Sequence, residues 1–305
     1  MLEIRSCAGE REEQLSLDVY NAVWPHDAVT MDEVRHFKEA MVDHDDLIAW
    51  IDGEPAGSGF VAIVPQRPEL PHVLLTVLAQ ARGRGAGSGL YAAVSGWARD
   101  RGLGELEAVV TDEDPDSMRF AERRGFVVDR REKGVALHLA EIDPPPVEPP
   151  PGIEMVTWAE RPDLTRGIYE VYREASPDVP GSEDEIVEPF EKWLVNDMGG
   201  AGDQPEATFL ALSGDEVVGY AKFSLTVAQP TTAHHDLTGV KRSWRGRGIA
   251  RALKAVQIRW AMENSYEELR TRNDERNAPI RHLNREFGYE PATGRVYLRG
   301  PLSDR

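Results

Sequence analysis

The chain has 305 residues, 41% of them hydrophobic, a formal charge of −18 and a single cysteine, Cys7. The length suits two domains of about 150 residues, each able to bury a core. The charge argues against a general nucleic-acid surface, no apolar run reaches the roughly 18 residues of a membrane span, and one cysteine excludes an internal disulfide or a cysteine-based metal cluster.

The opening stretch MLEIRSCAGEREEQ is charged early and lacks the apolar core of a signal peptide, so a cytoplasmic protein is expected. Residues 12–24 are predicted as a helix. A second helix is expected over 31–42, with Thr30 as N-cap and Glu33 three residues on. Two strands over 47–64 flank the Asp52-Gly53 dipeptide, a hairpin signal. A third strand, HVLLTVLA, runs straight into RGRGAGSG. Leu90, Val94 and Trp97 then recur at helical spacing. A short strand, a short helix and the strand GVALHLAEI close this half.

The stretch PPPVEPPPG, 144–152, fits neither a helix interior nor a central strand. It is read as an extended linker between an N-terminal domain, 1–143, and a C-terminal domain, 153–305.

The second half repeats the order. Helices are predicted over 162–175 and 183–196, the latter with Ser182 as N-cap and Glu185 after it. Strands over 208–225 flank Gly214-Asp215, and HDLTGVK leads into RGRGIARA. Arg245 follows Arg82 by 163 residues, and Leu253, Trp260 and the Gly288-Tyr289 pair follow Leu90, Trp97 and Gly125-Phe126 by the same offset. A repeat of that length implies the same local structure twice. The fold class is therefore α/β (α+β), two domains that are each a mixed, largely antiparallel sheet flanked by helices.

A strand that breaks into glycines and then a helix exposes several backbone N–H groups at the positive end of the helix dipole. Arginines add full charge, so the expected ligand is a phosphate or pyrophosphate. The spacing lacks the GK[ST] of a Walker A loop. The preceding hairpins do not fit the parallel unit of a dinucleotide-binding fingerprint.

RGRGAG and RGRGIA fit the [QR]-x-x-G-x-[GA] signature and so resemble the GNAT superfamily of N-acetyltransferases, in tandem. The resemblance extends to the strand before each turn and to the downstream helix with its GF or GY pair. It implies two GNAT-like domains and acetyl-CoA or another acyl-CoA as cosubstrate, with no metal. By position the pyrophosphate would sit on Arg82, Gly83, Arg84, Gly85, Ala86, Gly87 and Ser88 in one half. In the other it would sit on Arg245, Gly246, Arg247, Gly248, Ile249, Ala250 and Arg251. The pantetheine arm would pair with the main chain near Val77 and Ala79, or Val240 and Arg242. The family's asparagine maps to Asn277, with Asp114 in its place in the first half. The tyrosine that often serves as general acid maps to Ala121 and Asn284, so both halves depart from the pattern.

The reaction expected is transfer of an acyl group to the primary amine of a small molecule, by direct attack in a ternary complex. The alternatives are a CoA-binding module with one or both halves inactive, and a protein N-acetyltransferase. Candidate bases are His235 and Asp236, with His72 aligned to His235. On a strand His235 and Asp236 face opposite sides, so only one can enter the cleft, and for the same reason His234, His235 and Asp236 do not make a metal site. Asp27, Asp32, Glu33, Asp178, Glu183 and Asp184 are candidates for a cationic acceptor. Asn277 and the ionisable residues of HHDLTGV place turnover in the C-terminal half.

Overall fold

The computed structural model describes residues 1–183 and 185–304. They form two compact units, Met1–Arg131 with Arg295–Arg305, and Glu132–Gly294, called units 1 and 2.

Unit 1 opens with β1 (Leu2–Ser6), α1 (Glu10–Val23) and α2 (Met31–Glu39). Glu10, Glu12 and Glu13 sit in the first turn of α1, where carboxylates suit the helix dipole. The Thr30–Glu33 capping box of α2 forms as its sequence specifies. Then come β2 (Asp43–Ile51) and β3 (Glu54–Ile63), joined by Asp52 and Gly53 at φ 55° and 87°, which suit a two-residue hairpin. β4 (His72–Val77), α3 (Ala86–Asp100), β5 (Glu105–Thr111) and α4 (Pro115–Glu122) follow. β6 (Val127–His138) leaves the unit.

Unit 2 repeats this with β7 (Glu154–Thr157), α5 (Thr165–Ala175), α6 (Phe190–Asn196), β8 (Thr208–Ser213), β9 (Glu216–Ser224), β10 (Thr232–Val240), α7 (Ile249–Glu263), β11 (Glu268–Asp274), α8 (Ala278–Glu286) and β12 (Glu290–Pro301). The helix expected over 183–196 is shorter. It starts after Pro189, which takes the N-cap position in an extended conformation, because a residue ahead of a proline avoids the helical region and Pro itself cannot donate. Ser182 caps nothing in α6.

β4 and β5 pair in parallel only at His72–Val73 and Glu107–Ala108. β10 and β11 pair in parallel only over 232–234 and 268–270. The neighbouring pairs β1–β2–β3–β4 and β7–β8–β9–β10 are antiparallel. Each unit therefore has a mixed, largely antiparallel sheet with a gap opening beyond the short parallel register.

The closing strands are exchanged. Residues 295–301 of β12 pair with 105–111 of β5 in unit 1, and residues 132–138 of β6 pair with β11 in unit 2. Val296 and Leu298 join Leu90, Val94, Trp97 and Leu106 in one core. Leu137 and Leu139 join Phe209, Phe223, Leu253 and Leu269 in the other. The linear division at 144–152 differs from this partition, and each core takes its last strand from the other half of the chain. The hydrophobic pattern shows that a last strand exists, but not which sheet receives it.

Candidate active site

The two glycine-rich turns have the same backbone. Gly83 and Gly85 have φ of 76° and 94°, and Gly246 and Gly248 have 73° and 89°. These left-handed values suit glycine and turn the chain sharply into α3 and α7. Neither helix has a side chain capping its first turn. The N–H groups of Ala86, Gly87 and Ser88, and of Ile249, Ala250 and Arg251, stand at those N-termini, where an anion is stabilised.

The arginines are partnered. Arg82 meets Asp114 at 3.0 Å and Arg84 meets Asp52 at 2.6 Å. Arg242 and Arg245 both bind Asp178 at 2.7 Å, and Arg245 Nε also donates to the Val240 carbonyl at 2.9 Å. The Arg242 side chain holds the Asp178 carboxyl down to about 2. Asp178, expected to meet a cationic acceptor, thus meets the signature arginines instead. Arg247 donates to Ser243 O and stacks on Trp244, and Arg251 pairs with Glu286. Ser88 Oγ accepts from Arg124 at 2.7 Å.

In unit 1 the gap between β4 and β5 continues into a cleft of about 820 Å³. It is lined by Val77, by Arg82, Gly83 and Gly85 to Ser88 of the turn, and by Tyr91, Ala121 and Phe126. That volume lies in the range of cofactor sites. Val77 pairs with Gly57 on β3, and Ala79 begins the turn after β4. The carboxylates on these walls are committed, Asp116 to Arg119 and Asp114 to Arg82. Asp114 caps α4 through the N–H groups of Asp116 and Ser117; despite partial desolvation, these bonds and Arg82 hold its carboxyl low. An Asp114 neutralised by Arg82 does not carry the bare charge that its sequence position suggests.

Glu107 accepts from His72 at 3.2 Å and from Arg130 at 2.7 Å. Burial would raise its carboxyl, but His72 and Arg130 bring it down to about 2 from 4.5. A depressed carboxylate stabilises the fold above its ordinary value and loses that contribution as pH falls through the folded value. Unit 1 should therefore lose about 3 kcal/mol between pH 4.5 and 2. Glu107→Gln should destabilise the protein at neutral pH by roughly 3–5 kcal/mol, by removing the buried carboxylate that holds His72 and Arg130, and should flatten the acid limb. Thermal melts of both proteins across that pH range check this.

In unit 2 the register of β10 against β9 jumps between His235 and Thr238, so Asp236 and Leu237 together oppose Lys222. Such a bulge re-aims side chains. His235 and Asp236 do face opposite ways. His235 lies against Phe223 on the α7 side, with Nδ1 3.1 Å from Gln257 Oε1 and Nε2 2.5 Å from the Tyr289 hydroxyl. Burial keeps its pKa far below the ordinary value. Asp236 turns to the other face, where its Oδ2 is 3.0 Å from Lys222 Nζ and its Oδ1 accepts the Leu237 N–H.

That face holds residues the sequence reading missed. Lys222 is only 3% exposed. It pairs with Asp203 at 2.7 Å and donates to the Asp197 carbonyl. Although burial disfavours its charge, Asp236, Asp203 and Asp197 keep its pKa high. The Asp197 carboxyl is pushed up to about 7 by burial, then by Asp236. A lysine inside the apolar run VVGYAKFSL was the available signal, since a buried lysine needs a carboxylate.

Asn277 precedes α8, and among the described residues its side chain caps nothing and carries no hydrogen bond. Val240 pairs with Gly219 on β9. The Arg242 N–H, expected to face the pantetheine arm, donates to the Glu174 carboxylate. Asp27 pairs with Arg295, Asp32 with Arg35 and Glu183 with Arg276, while Glu33 serves the capping box. Asp184 lies outside the described residues. Among the described residues no cluster of three metal-ligand side chains occurs, and no helix is long and apolar enough to cross a membrane.

The sequence model of the acetyltransferase (GNAT) family matches residues 11–126 and 165–289. The structure is similar to that of a GCN5-related N-acetyltransferase from Sphaerobacter thermophilus, at 23% identity and a TM-score of 0.76, covering 99% of this chain and 96% of that one. It is also similar to a tandem GNAT protein from the clavulanic acid biosynthesis pathway, at 20% identity and a TM-score of 0.79, covering 100% of both chains. At these identities the likeness shows the fold. No curated protein matches the sequence.

Proposed function

Because the chain belongs to the acetyltransferase (GNAT) family, we propose that it is an acetyl-CoA- or acyl-CoA-dependent N-acyltransferase for the primary amine of a small molecule, with turnover in unit 2. The observation that carries this reading is the Asp197–Asp203–Asp236 group beside the β10 bulge. Three carboxylates surround one ammonium, which leaves negative charge for a cationic acceptor. An amine must lose a proton before it attacks a thioester. Asp197, with its carboxyl near 7, is suited to take it. The strand gap beside it would hold the thioester close to the amine. The Cys7 thiol is pushed up to about 12 by burial and then by Asp46, which disfavours a cysteine acyl-enzyme and supports direct attack.

A second reading applies to unit 1, as a CoA-binding module without turnover. Its cleft is open, but Asp114 on its wall is held in an ion pair with Arg82.

The test is thiol release from acetyl-CoA with a panel of primary amines. The rate should rise with pH up to about 7 as Asp197 ionises. Asp197→Asn should lower kcat by roughly 10²–10⁴-fold with little change in the KM for acetyl-CoA. Release no faster with any amine than without one would count against the reading.

A further inference from the structure

Unit 2 buries a second lysine, and this one has no carboxylate. Lys254, on α7, is 1% exposed. Among the described residues its Nζ has no hydrogen-bond or ion-pair partner, and it lies over the face of the Tyr289 ring, 5.1 Å from the centroid. Burial alone draws its pKa down to about 7.

Correspondence between the halves locates it. At the 163-residue offset Lys254 matches Tyr91, Asn284 matches Ala121 and Tyr289 matches Phe126. Tyr91, Ala121 and Phe126 all line the unit 1 cleft below the glycine-rich turn. Where unit 1 has two apolar walls and a tyrosine, unit 2 therefore has polar groups. Asn284 is also 1% exposed. Its Nδ2 donates to Asn273 at 2.8 Å, but its Oδ1 has no partner. Two buried polar groups with unused hydrogen-bonding capacity are costly unless something polar meets them.

Tyr289 is already committed. Gln257 Nε2 donates to the Lys222 carbonyl, which leaves Gln257 Oε1 to accept from His235 Nδ1. The tautomer assigned from this network leaves His235 Nε2 to accept the Tyr289 hydroxyl proton. The groups facing Lys254 are thus a neutral tyrosine ahead of β12 and, behind it, a neutral histidine from β10. Neither competes for the role of acid.

We propose that Lys254 is the proton donor to the departing CoA thiolate in unit 2. The proposal rests on the reading that unit 2 binds the acyl-CoA. The acceptor nitrogen bonds to the thioester carbon, and the C–S bond breaks with its electron pair on sulfur. The sulfur then takes a proton from the Lys254 ammonium. The acceptor nitrogen gives its own proton to Asp197, which releases it to solvent, and Lys254 takes one up from solvent, so amine and thioester become amide and thiol with no net change in protons.

The experiment uses the full chain and CoA itself, titrating the bound thiol by its thiolate ultraviolet absorbance. In the native protein the thiol bound in unit 2, one of up to two per chain, should ionise at least tenfold more readily than free CoA. The shift should vanish in Lys254→Met and persist in Lys254→Arg, with calorimetric CoA affinity similar in all three. Bound CoA with no shifted thiol among its equivalents in the native protein overturns the proposal without any variant. An identical shift in Lys254→Met also overturns it. CoA that does not bind removes the cofactor reading itself, and the proposal with it.

Discussion

Arg245→Glu should abolish acetyl transfer, while Arg82→Glu should leave most of it. Each reversal sets a carboxylate at the mouth of a phosphate-accepting helix N-terminus. At position 245 the new carboxylate would also face Asp178, which loses one of its two arginines. At position 82 it would face Asp114. The loss of cofactor binding at the altered turn should be on the order of 2–5 kcal/mol, as for an unpaired charge at a desolvated contact, or roughly 30-fold to several thousandfold. Steady-state rates with a responsive amine separate the halves. Activity lost in Arg82→Glu and kept in Arg245→Glu would place turnover in unit 1.

Cutting the chain after Gly294 should leave a protein that does not fold cooperatively. Residues 295–301 pair along the whole of β5, and Val296 and Leu298 are 1% and 0% exposed in the unit 1 core. Burying those two side chains contributes about 3–6 kcal/mol, against a typical total stability of about 5–15 kcal/mol. The lost backbone ladder adds to this and bares the β5 edge, which invites aggregation. The separate fragments 1–143 and 153–305 should fail for the same reason. The first lacks Val296 and Leu298, and the second lacks Leu137 and Leu139. Soluble expression and calorimetric melts decide this. A truncated chain that melts like the full one would contradict the exchange.

Local signals in the sequence led to much of this architecture. Positive-φ glycines, a capping box and an Asp-Gly hairpin are set by neighbouring residues, and the 163-residue offset carries the glycine-rich turn into the second half. The strand exchange was not legible, because GVALHLAEI and RVYLRGPL have the same alternation whichever sheet accepts them. The site divides in the same way. The turns were readable because glycine and arginine spacing encodes them. Asp197, Asp203 and Lys222 were not, since they lie on separate elements and only the β10 bulge and the loop after α6 gather them. Asp114 and Asp178 were misjudged for a related reason. A carboxylate's charge depends on the arginine that folding brings beside it, and sequence distance hides that partner.

Isothermal titration of the full chain with CoA tests the central claim most directly, namely that the two glycine-rich turns hold the cosubstrate's pyrophosphate. Saturable binding approaching two equivalents per chain is expected, with one equivalent lost in each of Arg82→Glu and Arg245→Glu. The absence of binding at millimolar CoA would contradict it.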